Sequence, residues 1–161
     1  MNRETILEQL AMNTETIVHE IGIALHAKME ADGELNGPEI PVCVLWMWNI
    51  EMLNGGLCQF FVNDGDYASL VPGSLQAVGA EEYNSLWCDF VEKHAINLED
   101  LSEFELSIQH DEADCAPYIA VYDKYPFEDF DDAFYDLYGS DPLEGYIANY
   151  IRDHIDAFIT D

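Results

Sequence analysis

A chain of 161 residues with 49% hydrophobic and 12% aromatic side chains has enough apolar material for a packed core, which separates it from acidic chains that stay disordered. Against that core stand 33 Asp and Glu and only 5 Lys and Arg, a balance of −28 that repels nucleic acid and anionic membranes and attracts cations or basic proteins. Direct binding of nucleic acid is therefore excluded, and the longest apolar run, VCVLWMW at 42–48, is too short to span a bilayer.

The first segment, ETILEQLAMNTETIVHEIGIALHAKM, places Ile6, Leu7, Leu10, Ile17, Val18, Ile21, Leu25 and Met29 at three- and four-residue spacings. That is the period of an amphipathic helix, with a break predicted near Asn13 and Thr14. DGELNGPEIP at 32–41 reads as a loop, and VCVLWMWNIEML as a second helix closed by Asn54, Gly55 and Gly56. Helical patterns recur at 57–63, 66–78, 81–95, 111–123, 127–138 and 142–159. No alternating strand pattern of useful length appears, so the prediction is an all-α fold, a compact bundle of roughly seven to nine helices forming one domain over residues 1–161. Cys43, Cys58, Cys88 and Cys115 form no C-x-x-C pair and follow no secretory leader; reduced core thiols in a cytoplasmic protein are expected.

EMLNGGLCQFFVN, residues 51–63, is the sharpest local signature. Gly55 and Gly56 suit the left-handed cap of one helix and a tight turn into the next. Gln59 and Asn63 share one face at i and i+4, while Glu51 and Asn54 are placed to hydrogen-bond the helix ends they adjoin. A polar network that fixes a helix junction is favoured over a ligand or catalytic site.

Toward the C-terminus, FEDFDDAFYD at 127–136 sets carboxylates among aromatic rings with no basic residue inside. Phe127, Phe130, Phe134, Leu137 and Tyr138 share a helical face, which assigns the rings to the core, and Pro126 and Gly139 punctuate the ends. Glu128, Asp132 and Asp136 line the opposite face at i, i+4 and i+8, flanked by Asp129 and Asp131. Like charges at that spacing destabilise a helix by roughly 0.2–0.5 kcal/mol per pair, so the aromatic face must hold the helix in spite of them. Similar crowding recurs at Glu99, Asp100, Glu103 and Glu105, and at Asp111, Glu112 and Asp114. All twelve carboxylates are candidates for a partner-binding surface that imitates phosphates.

The spacing E-x-x-N-G-G-x-x-Q-F-F-x-N (Glu51, Asn54, Gly55, Gly56, Gln59, Phe60, Phe61, Asn63), with Trp46 and Trp48 before it and SLQAVGA at 74–80 after it, resembles an all-helical bacterial family that includes DNA mimics of the 19-kilodalton type. The resemblance implies an acidic homodimer that presents a DNA-like surface to a DNA-binding protein, a helix-turn-helix transcription factor, and keeps it off its operator. It implies a structural role for the motif, with no catalytic residue, metal or cofactor.

Two other classes compete with that reading. In the first, a metal-dependent enzyme such as a hydrolase, His19 and His26 share a helix face and HDEAD at 110–114 joins one His to three carboxylates, but neither has a recognised metal spacing. NDGDY at 63–67 lacks the remaining ligands and closing Glu of a calcium loop, and the sequence holds no P-loop, G-x-G-x-x-G or G-x-S-x-G. In the second, the acidity is a salt-adapted surface with no partner; such a protein unfolds at low ionic strength, where a mimic stays folded and binds most tightly.

Overall fold

The computed structural model describes residues 1–31, 33–105 and 124–159, and every regular element among them is helical. Helix α1 (Arg3–Met12) and α2 (Thr14–Glu30) meet at Asn13, which ends the first and caps the second by accepting the Thr16 N–H on Oδ1 at 3.2 Å. The predicted break is therefore a shared cap. Ile6, Leu10, Ile17, Val18, Ile21 and Leu25 are buried, as their periodicity requires.

Helix α3 (Glu39–Asp64) starts earlier than the sequence reading placed it. Pro38 and Pro41 read as loop residues, but in or before a first helical turn a missing N–H costs nothing. Reciprocal bonds of the capping-box type set that start: Asn36 Oδ1 accepts from the Glu39 N–H at 3.0 Å, and Glu39 Oε2 accepts from the Asn36 N–H at 2.7 Å. Glu39 is buried and neutralised by Lys28 Nζ at 2.7 Å. The helix expected to close at Asn54–Gly56 and the one expected at 57–63 are two halves of α3, joined with no loop at Gly56, whose φ of 81° and ψ of −172° break the helical path.

A 3₁₀ turn (Gly65–Leu70) leads into α4 (Val71–Val78), which Gly79 ends in the left-handed conformation, and α5 (Glu81–Lys93) follows. Helix α6 (Ser102–Glu105) is too short to leave a periodic signal in the sequence. The helix predicted at 111–123 lies outside the described residues. Helix α7 (Phe127–Ser140) matches its aromatic period, and α8 (Leu143–Asp153) gives way at His154 to a 3₁₀ turn (Ile155–Ala157) where one unbroken helix was expected. The eight α-helices among the described residues fall within the predicted range.

The first half of α3 is the hub of the core. Trp48, fully buried, meets Phe134 of α7 at 5.3 Å, Trp87 of α5 at 5.7 Å and Tyr83 at 6.2 Å between ring centroids, all edge-on. Such pairs contribute about 0.5–1.5 kcal/mol each beyond the area they bury. Cys43 and Cys58 are core residues, and burial, then the charges of Asp64 and Glu39, push the Cys43 thiol up to about 11, so it stays protonated. Cys115 lies outside the described residues. No described helix is long and apolar enough to cross a membrane.

Candidate functional site

The acidic display is organised by α7 and by what α7 grips. Phe127, Phe130 and Phe134 are buried, with Phe130 at 5.1 Å from Phe90 of α5, so one face of the helix is fixed to the core. Glu128, Asp129, Asp132 and Asp136 are exposed. None of the ion pairs among the described residues includes them: Arg3 pairs with Asp156, Lys28 with Glu39 and Lys124 with Glu103. These four carboxylates form an ordered, unneutralised row at the helical spacing of roughly 5–6 Å between Cβ atoms.

Asp131 behaves differently from its neighbours. It is half-buried, and its Oδ1 accepts the Leu57 N–H at 2.8 Å. In a straight helix that N–H would be directed at the Leu53 carbonyl; the kink at Gly56 hands it to α7 instead. Tyr135, one turn further on, donates its hydroxyl to the Met52 carbonyl at 2.7 Å, so α7 holds both sides of the kink. A Cβ on Gly56 would lie 2.1 Å from Asp131 Oδ2, which makes glycine a requirement of the contact as well as of the positive φ. Burial raises the Asp131 carboxyl above the usual carboxylate range, and the Asp132 and Glu128 charges add to it, against the opposing Leu57 N–H. The expectation that Asp131 joins the outward display thus meets a side chain engaged inside the fold.

The remaining candidates divide in the same way. Glu99 and Asp100 are exposed in the turn before α6, where Asp100 Oδ1 accepts from the Ser102 hydroxyl at 2.6 Å and its N–H at 3.2 Å, both of which lower its carboxyl. Glu103 accepts from Lys124 Nζ at 2.5 Å and the Tyr125 hydroxyl at 2.6 Å; burial pushes its carboxyl up, but these partners together hold it below its ordinary value. Glu105 is the last residue of α6, and Asp111, Glu112 and Asp114 lie outside the described residues.

The motif residues form a clasp across the kink. Glu51 Oε2 accepts from Gln59 Nε2 and Asn63 Nδ2, each at 2.8 Å, so a carboxylate before Gly56 holds two amides after it. Glu51 reaches the side chains of the next half-helix where a backbone contact at the adjoining end was expected. Gly55 leaves room for Gln59, whose Oε1 would lie 2.0 Å from a Cβ there. Phe60 and Phe61 are buried, and Asn54 is exposed beside the kink.

Residues 33–154 match the family described as DMP19-like protein. The chain belongs to that family. The match covers α3 with its whole motif, α7 and α8, and leaves α1 and α2 outside it. DMP19-like membership carries the DNA-mimic assignment at the level of the family. No curated protein and no solved structure matches the chain.

In this DMP19-like chain His19 and His26 pack against one aromatic ring, and His110 lies outside the described residues. The rings of His19 and His26 each lie 5.8 Å from Trp46, and His19 Nδ1 accepts from Trp46 Nε1 at 3.2 Å. Among the described residues no group of three or more His, Cys, Asp or Glu is placed to hold a metal ion. The sequence reading passed over Asn49 and Glu144, which meet in the interior with Asn49 Nδ2 donating to Glu144 Oε1 at 2.8 Å. Their signal was present: Glu144 precedes Ile147, Ala148 and Ile151 at i+3, i+4 and i+7, so it occupies the apolar face of α8, and Asn49 interrupts the apolar run of α3.

Proposed function

We propose that this chain, working as one acidic domain and as a homodimer, binds a basic DNA-binding protein, a bacterial helix-turn-helix transcription factor, in place of operator DNA. The observation that carries the reading is the row of Glu128, Asp129, Asp132 and Asp136, exposed without a basic partner among the described residues on a helix whose other face is buried. Rigid carboxylates at that spacing can occupy the Lys and Arg that such a protein reserves for phosphates.

Scale supports the idea. Duplex DNA carries one negative charge per roughly 1.7 Å of axis, so a balance of −28 corresponds to the phosphates of about 14 base pairs, the footprint of a DNA-binding domain or small dimer. Exposed Glu99 and Asp100 are further candidates for the display. Family membership supports mimicry as the mode of action, and charge complementarity supports a basic partner.

Capture of partners from a bacterial lysate, followed by salt titration, tests the reading. A DNA-binding protein whose affinity falls steeply with salt, and which operator DNA displaces, is the expected outcome. Capture of no DNA-binding protein, or affinity indifferent to salt, overturns it.

A further inference from the structure

A cavity of about 270 Å³ opens between α2, α3 and α8, away from the acidic face of α7. We propose that it is a binding site for a primary alkylammonium group, seated on Asn49 and Glu144. The inference does not depend on the DNA-mimic reading.

Both residues line the cavity and are more than nine-tenths buried, Asn49 at 6% and Glu144 at 8% exposure. Glu144 Oε1 accepts from Asn49 Nδ2 at 2.8 Å and from the Tyr138 hydroxyl at 2.7 Å. Those bonds fix the orientation of the pair: the Asn49 amide must turn its NH₂ toward the carboxylate, which leaves its oxygen on the other side. Glu144 Oε2 and Asn49 Oδ1 are then buried acceptors without a partner. Buried acceptors left unpaired are costly, and here both lack the same thing, a donor.

Charge selects the kind of donor. Glu144 takes part in none of the ion pairs among the described residues, and a carboxylate buried in that way gains from a cation beside it. A water molecule would meet the acceptors but not the charge. A metal ion is disfavoured because no group of three or more suitable ligands converges among the described residues. An ammonium head offers three donors and one positive charge. Ile50, Leu53 and Ile147 provide apolar wall for a short methylene chain, and Trp46 adds an aromatic residue to the lining. The volume lies near the lower end of ligand sites, which limits the guest to a few carbons.

An alkylammonium reaches such a site either as a free small amine or as the lysine side chain of a protein. n-Butylamine, titrated against the full-length protein in enough salt to screen the surface charge, should give saturable binding read from Trp fluorescence and a raised melting temperature. n-Butanol, matched in shape but uncharged, should not. Glu144→Gln keeps the shape, removes the charge and should weaken butylamine by at least about tenfold, the scale of one charge-assisted bond. If that variant fails to fold, Leu53→Trp at the 40% exposed rim carries the test by blocking entry, with the same expected loss. Absent saturation, equal binding of butanol, or full affinity in a folded variant overturns the proposal. A blocked lysine, Nα-acetyl-lysine methylamide, that binds as well as butylamine assigns the site to protein lysines, and its failure beside butylamine binding assigns it to free amines.

Discussion

Asp131 and Asp132 are adjacent in the chain, yet α7 turns the first into the Gly56 kink and the second to solvent. The inner position answers a bare backbone N–H, and the outer one answers nothing in the fold. Net charge counts the two alike, whereas the surface a partner meets is only what remains after the fold has used its own carboxylates. Glu39, Glu51, Glu103, Asp131 and Glu144 are all engaged by internal hydrogen bonds. The unengaged row on α7 is therefore a better measure of display than the composition.

The strongest way to break this contrast is at the kink. Gly56→Ala forces a Cβ into the Asp131 carboxylate and a side chain into a conformation almost confined to glycine, and should cost about 3 kcal/mol or more in chemical denaturation. A loss below about 1 kcal/mol would show that the kink relaxes freely. Next comes Asp131→Ala, which orphans the Leu57 N–H and should cost about 1–3 kcal/mol, while Asp131→Asn, still an acceptor, should recover much of that.

Acidity sharpens the comparison further. Asp131 and Asp64 are both raised chiefly by burial; the Glu51 charge adds to the shift at Asp64, where His26 opposes it. Between the unfolded carboxylate value, about 4, and these raised values, the folded state holds more protons than the unfolded state. Stability should therefore fall as pH rises through that window and level off above it, and melting curves of Asp131→Asn should show a shallower fall. Glu103, held below its ordinary value, acts with the opposite sign, its contribution being lost only as pH drops through its lowered folded value.

The smallest effect on stability belongs to the outer face. Converting Glu128, Asp129, Asp132 and Asp136 together to their amides should leave the melting temperature unchanged or raise stability by about 0.5 kcal/mol, since the repulsion removed along the row is offset only in part by the lost dipole interaction of Glu128 and Asp129 in the first turn. The same variant should lose most of its salt-dependent affinity for a DNA-binding partner. If binding survives, the display lies elsewhere on the chain.

Local rules made much of this legible. The aromatic period of α7, the break at Asn13 and the polar pairing of Gln59 with Asn63 depend on residues within a few turns of one another. Even the inward turn of Asp131 left a trace, because it stands at i+4 from Phe127 and i−3 from Phe134, on the flank of the buried face. What it grips was not legible, since Leu57 is 74 residues away and no local pattern encodes the meeting. The start of α3 was misplaced for another reason: its prolines were weighed as breakers before the Asn36–Glu39 cap was recognised. Asn49 and Glu144 were overlooked because each is a single polar residue in an apolar face, and 95 positions separate them.

The two bonds that fasten α7 to the kink close loops of 74 and 83 residues. Such closures slow folding, because the chain entropy must be given up before the contact forms. Together with the buried phenylalanines they hold the acidic row in place, and bringing α7 home moves a block of negative charge toward an already negative chain. Added salt should therefore speed folding even as it weakens binding to any cationic partner. Because Phe134 of the same helix packs edge-on against Trp48, a newly made chain completes its aromatic core and its ordered charge pattern together.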